Sequence, residues 1–233
     1  MPPTSAKPVT ISIDEAQRVS GLWLEPKDAK ACFVMAHGAG AGMRHAFLES
    51  VALELAKQSI ATLRFQFPYM ERGSKRTDPP KLCHATVRAA VAEAARRTAL
   101  PLFAGGRSFG GRMTSQAHAV SPLENVCGLA FLGFPLHPAK RPSNERAQHL
   151  FDVPLPLLFL QGTRDELAEL SLLEPLLTKL GKRATLKLFA DANHAFHVPA
   201  KTGRKDADVL SELTATLAAW ILKISPAPRS SAS

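Results

Sequence analysis

Four short segments of this chain, ACFVMA (31–36), PLFAGG (101–106), VCGLAFLGF (126–134) and PLPLLFLQG (154–162), are apolar almost from end to end. A strand with one wet face alternates apolar and polar residues, so a run that is apolar on both parities predicts a strand buried on both faces. Segments with helical spacing lie between and around these runs. FLESVALELAKQ carries Phe47, Val51, Leu53, Leu55 and Ala56 on its apolar side, and LCHATVRAAVAEAARRT is Ala-rich and amphipathic. SFGGRMTSQAHAV, LSLLEPLLTKLG and a final helix with Val209, Leu213, Leu217, Trp220, Ile221 and Ile224 complete the set. VTISI and RVSGLWLE add two alternating strands at the start, IATLRFQF a strand stopped by Pro68, and ATLKLFA the last strand. The order predicts an α/β fold: a mostly parallel sheet of about eight strands with helices on both faces.

One such domain accommodates 233 residues without a second core. Residues 1–225 are expected to form it, with 226–233 as a flexible tail. PYMERGSKRTDPPK and the Pro-rich PLHPAKRPSNERAQHLFDV are loops by composition. The second occupies the place of a lid but is too short for a helical cap domain, so an open cleft is expected.

A net charge of +9 raises the question of an acidic partner. Lys and Arg are scattered, with clusters such as ERGSKR and AKRPSNER in loops, and Tyr69 is the only tyrosine. That pattern predicts a solvated basic surface rather than a nucleic-acid groove. Cys32, Cys83 and Cys127 are odd in number and far apart, which predicts buried free thiols rather than disulfides or a CxxC metal site. His45, His84, His118, His137 and His149 lack metal-ligand spacing, so neither metal nor cofactor is implied. No signal-type apolar segment and no run of about 18 apolar residues is present, which predicts a cytoplasmic protein without a membrane span.

In parallel sheets, ligands bind beyond the carboxyl ends of the strands. Ser108 lies there, in GGRSFGG, with Gly106 two residues before it and Gly110 two after. GxSxG at a strand-to-helix turn fits a nucleophile elbow, where bulkier flanking residues would collide across the turn. Taken alone, the pattern also fits a phosphate-binding or merely close-packed turn. A serine hydroxyl needs a base to accept its proton, and the base needs an acid to hold its tautomer. LLFLQGTRDE ends a strand with Asp165, and LKLFADANHAFH ends the last strand with His194. Ser, Asp, His in that order is the hydrolase arrangement. Asp165 competes with a helix N-cap role and with Glu166, and His194 with His197. The amides of Phe109 and Ala39, the latter in HGAGAG, are the expected oxyanion donors, with His37 orienting that loop.

Six motifs in order, MAHGAGAGMRHAFLE, LRFQFPYME, GGRSFGGRM, LGFPLHPAKRP, LQGTRDEL and ADANHAF, span nearly the whole chain. They resemble the α/β-hydrolase superfamily, and within it the small cap-less branch related to dienelactone hydrolases. That branch also includes the hydrolase-like subunit of the non-specific-lethal chromatin complex. The resemblance implies a serine hydrolase of short-chain carboxylic esters, with Ser108, Asp165 and His194 as the triad and a small ester as partner. Dienelactone hydrolases proper carry cysteine in the elbow, so their particular substrate is not implied. A thioesterase, lactonase or amidase on the same triad, or a non-catalytic scaffold, are the alternatives.

Arg107 and Arg112 flank the serine and suit a substrate carboxylate, against the competing reading that they pair with a local acid such as Glu71. Tyr69, Met70 and Phe134, just past strand ends, either wall an acyl pocket or cap the core.

Overall fold

The runs that are apolar on both parities become the inner strands of one eight-stranded sheet. The computed structural model describes residues 5–226, and the expected C-terminal tail, Pro226 apart, lies outside them. The strands are β1 (Lys7–Ser12), β2 (Arg18–Leu24), β3 (Ala31–Ala36), β4 (Ile60–Phe65), β5 (Leu102–Arg107), β6 (Val126–Leu132), β7 (Leu157–Gly162) and β8 (Ala184–Phe189). Their order is β1-β2-β4-β3-β5-β6-β7-β8. The β1–β2 and β2–β4 pairs are antiparallel, and every other pair is parallel.

Five helices cover the sheet: α1 (Ala46–Ala56) and α6 (Asp206–Ile224) on one face, α3 (Pro80–Arg97), α4 (Phe109–Val120) and α5 (Leu170–Leu180) on the other. A further short helix, α2 (Pro68–Glu71), follows β4. The two-sided burial is explicit in β7. Leu157 and Phe159 pack into the layer with α3, α4 and α5, while Leu158 and Leu160 pack into the layer with α1 and α6. Each parity therefore needs an apolar side chain, which is why the sequence of this strand does not alternate. Phe103 on β5 meets the Trp220 ring of α6 edge-on at 5.8 Å.

Three details differ from the expectation. Leu53 is 37% exposed, and α1 buries Leu48, Val51, Ala52, Leu55 and Ala56 instead. Leu48, Val51, Ala52 and Leu55 follow i, i+3, i+4, i+7, and Leu53 falls about 100° off the face of Ala52. The expected loop after β4 opens with α2, begun by Pro68, whose fixed φ and missing N–H suit a first helical position. The Pro-rich stretch after β6 holds a 3-10 helix, Glu145–Asp152, which buries Ala147 and Leu150. It packs down on α4 rather than rising as a separate cap.

Cys32 and Cys83 are buried, whereas Cys127 is only half-buried, and all three are free. Among the described residues no helix is long and apolar enough to cross a membrane.

Phe103 is fully buried on an inner strand. Phe103→Ala is expected to cost about 3–5 kcal/mol by lost burial and cavity formation, lowering Tm by roughly 6–20 °C in a thermal melt. A shift of under about 2 °C would mean that the α6 layer is not held as described.

Candidate active site

The carboxyl ends of β3, β5, β6, β7 and β8 lie side by side in the sheet, and polar groups follow β3, β5, β7 and β8. At the end of β5, Ser108 adopts φ 48° and ψ −116°, outside the broad regions open to L-residues. The strained turn is possible because its neighbours carry no side chain. A Cβ on Gly106 would sit 2.2 Å from the Ala36 carbonyl oxygen, and one on Gly110 would sit 2.5 Å from that of His37. The glycines thus let α4 start directly against the end of β3. The Ser108 amide donates to Leu132 O on β6 at 3.2 Å, which pins the turn on its other side.

Beyond β7, Asp165 is 4% exposed and both its carboxyl oxygens are engaged. Oδ1 accepts the Leu167 amide at 2.8 Å, and Oδ2 accepts His194 Nδ1 at 2.7 Å together with Gln161 Nε2. Beyond β8, the His194 ring bridges Asp165 to Ser108, with Nε2 2.9 Å from Oγ. A carboxylate only accepts, so Nδ1 carries the imidazole proton and Nε2 is left to accept from the serine hydroxyl. The arrangement can draw a proton from Ser108 and hold the resulting imidazolium beside an anion.

The competing residues are elsewhere. His197 pairs with Asp206 at 2.8 Å on the exposed surface. Glu166 is exposed, and α5 takes Glu169 rather than Asp165 as its N-cap.

The loop after β3 is held by several straps. His37, fully buried, donates from Nδ1 to Gly38 O at 2.8 Å and accepts the Phe67 amide on Nε2 at 3.0 Å. Tyr69 Oη donates to Ala39 O at 2.8 Å. The buried Arg64 donates to Met43 O at 3.1 Å, and Gln66 Oε1 accepts the Met43 amide at 2.8 Å. The His37 bond to Gly38 O fixes the peptide plane that carries the Ala39 N–H, and the Tyr69 bond to Ala39 O fixes the next one. The Phe109 amide opens α4, where N–H groups have no partner within the helix and the dipole favours negative charge.

Arg64, Gln66 and Gln161 were not singled out by sequence. Their signal was available: each is a polar residue near or at the carboxyl end of an otherwise apolar strand. Gln161 Oε1 also accepts the Phe134 amide at 2.9 Å, so one side chain ties the end of β6 to Asp165.

Tyr69 and Phe134 are fully buried, while Met70 is half-buried. The first two therefore support the site from behind instead of walling a pocket. Neither arginine pairs with Glu71, whose carboxylate accepts the Ser20 amide on β2. Arg107 lies over the Phe47 ring at 4.5 Å, and Arg112 over the Phe109 ring at 5.7 Å. Phe47 also lines a cavity of about 200 Å³ with Ala195, Phe196 and Leu210, next to His194 in the chain. Among the described residues no three His, Cys, Asp or Glu side chains are grouped as metal ligands.

The family model described as an alpha/beta hydrolase domain matches residues 29–222. Among solved structures, the chain is similar to a dienelactone hydrolase from Anabaena variabilis, at 21% identity and TM-score 0.78, covering 95% of this chain and 99% of that one. It is also similar to a serine hydrolase without a lid from Xanthomonas campestris, at 23% identity and TM-score 0.72, covering 97% of each. An esterase domain from Rhodothermus marinus is similar at 16% identity and TM-score 0.72, over 94% of this chain and 99% of that one. At these identities the likeness is one of fold.

Burial pushes the His37 imidazole down to about 4, against the ordinary 6.5 of an exposed histidine. Between those two values the unfolded chain binds a proton that the folded one excludes, so stability falls as pH drops from about 6.5 towards 4. The loss is of order 3 kcal/mol from this residue at full extent. Thermal melts between pH 7.5 and 4.5 should show the decline, with a shallower slope in His37→Gln. Parallel slopes would mean that His37 is not the buried neutral clamp.

Proposed function

The chain belongs to the alpha/beta hydrolase domain family, and on that footing we propose that it is a serine hydrolase of short-chain carboxylic esters. The observation that carries the reading is the continuous hydrogen-bond chain from Ser108 through His194 to Asp165, at 2.9 and 2.7 Å. Ser108 Oγ attacks the ester carbonyl carbon while His194 Nε2 takes its proton, and the carbonyl oxygen becomes an oxyanion. The amides of Phe109 and Ala39 hold that oxyanion, each donor worth about 3 kcal/mol in comparable sites. The C–O bond then breaks, and the alcohol leaves with the proton returned by His194. Water, deprotonated by the same nitrogen, hydrolyses the acyl-serine and restores the hydroxyl.

Asp165 steadies the imidazolium in both halves, and Gln161 and the Leu167 amide keep its carboxylate in place. The small-ester preference is supported by the short segment between β6 and β7, which packs on α4 and leaves no cap over the serine. The names of the similar structures, an esterase domain and a dienelactone hydrolase, agree with it. The leaving group does not enter the geometry, so lactones and thioesters of similar size fall under the same chemistry.

Wild type is expected to turn over p-nitrophenyl acetate and butyrate and to take one fluorophosphonate adduct at Ser108, read by mass spectrometry of the intact protein and its peptides. Ser108→Ala should abolish the adduct and lower kcat by at least about 10³-fold, and Asp165→Asn should lower it by roughly 10⁴-fold. Folded wild type with neither turnover nor adduct would turn the reading to a non-catalytic scaffold.

A further inference from the structure

Arg112 carries five N–H donors, and among the described residues none of them meets an acceptor. Its Nε is buried and has no hydrogen-bond partner, and its guanidinium forms no ion pair. Buried polar groups are normally satisfied, and a desolvated cation without a counter-charge is costly.

The side chain stands between three elements. Its own helix places it one turn after Ser108, whose carbonyl accepts the Arg112 amide at 3.1 Å. Its guanidinium lies over the ring of Phe109, the residue directly after Ser108. From the 3-10 helix, Arg146 is close enough to depress it by like-charge repulsion, after burial itself. Arg146 also forms no ion pair or side-chain hydrogen bond among the described residues.

The other polar groups around the two arginines are neutral or occupied. His149 accepts or donates at Ser115 Oγ, 2.8 Å away, and burial with the nearby Arg112 pushes it down to about 4, so it stays neutral near pH 7. His84 contacts Gln116 at 3.4 Å. Of the acids on neighbouring elements, Asp78 takes Arg72 and the Tyr69 amide, Glu71 takes the Ser20 amide, and Glu145, directly before Arg146, is exposed and pairs with neither arginine. Arg107, on the other side of the serine, differs in that Asp165 lies near enough to favour its charge.

We infer that Arg112 and Arg146 form an anion subsite beside Ser108, which selects esters carrying a second oxyanion, a carboxylate or a phosphate. The inference rests on the serine-hydrolase reading. Two guanidiniums with free donors and no ion-paired acid match an oxyanion in both charge and hydrogen-bonding sense. Arg112 follows Ser108 by one turn of α4, so the anion belongs on the same small molecule as the ester.

Two p-nitrophenyl esters with five-carbon acyl groups test this: the valerate, and the glutarate monoester, which ends in a carboxylate. Wild type should favour the glutarate ester by roughly 10- to 100-fold in kcat/KM, the range for a charge-assisted hydrogen bond. Arg112→Met should bring the ratio towards one, Arg146→Gln should lower it in part, and Arg112→Lys should restore part of it. Free glutarate and inorganic phosphate, tested as competitive inhibitors of valerate hydrolysis by wild type, separate the two anions and need no variant. Inhibition by glutarate names a carboxylate, and inhibition by phosphate alone names a phosphate. A wild-type ratio near one with inhibition by neither, or a high ratio unmoved by Arg112→Met and Arg146→Gln, overturns the inference while leaving the hydrolase intact. Absence of all turnover and of the fluorophosphonate adduct overturns the hydrolase reading and this inference together.

Discussion

The backbone of Ser108 is the constraint on which the rest of the site depends. A serine at φ 48° and ψ −116° is strained by about 1–3 kcal/mol and persists only where its surroundings over-determine it. Here they do. The Ser108 amide is tied to β6, and the α4 backbone lies against β3 with no room for a Cβ at Gly106 or Gly110. The turn leaves the hydroxyl at the end of β5 within reach of His194 Nε2, followed at once by the N–H groups that open α4. The close approach of three parallel strands is therefore what makes the geometry of the serine affordable, and the apolar inner strands are what hold those strands together.

Rigidity of the neighbouring loop has a different origin. The segment after β3 contributes few apolar anchors of its own, and its shape is set by polar side chains reaching from β4 and α2. Arg64, Gln66, the Phe67 amide and Tyr69 meet it at successive points. His37 works in this network because it is neutral: one nitrogen donates and the other accepts, a pair of roles an imidazolium could not fill. Burial supplies that neutrality, so desolvation, usually a cost, here selects the hydrogen-bonding form that the loop needs.

The fold was legible because two-sided burial leaves a direct mark on composition. Inner strands such as β7 cannot alternate, and their order with the helices restricts the topology to a parallel sheet. Ser108, Asp165 and His194 were legible because each follows a strand end, and strand ends converge in space. Local detail was harder to read. Leu53 is apolar and sits in a helix, yet only the direction of the α1 axis against the sheet decides that Leu48 goes inward and Leu53 outward. Tyr69 follows a strand end, as a pocket residue would, but its hydroxyl has a closer acceptor in Ala39 O. Arg64, Gln66 and Gln161 were visible as polar breaks in apolar strands. Their partners are distant in sequence, which hides the role until the strands are placed side by side.

The two arginines beside the serine show how a bulk property becomes a local one. The chain has 29 Lys and Arg against 20 Asp and Glu, so some cations must lack a carboxylate partner. Which ones is decided by where the acids are used. Glu93 takes Arg96 and Arg97, Asp78 takes Arg72, and Glu212 takes Lys187 and Arg204. Asp165 lies deep in the site with its oxygens already engaged, near Arg107 but absent from the surroundings that perturb Arg112. Exposed lysines without partners are solvated at little cost, whereas a half-buried guanidinium with an orphaned Nε is not. The charge excess that sequence alone could assign only to the surface thus also reaches inside the fold, at the helix that begins with Ser108.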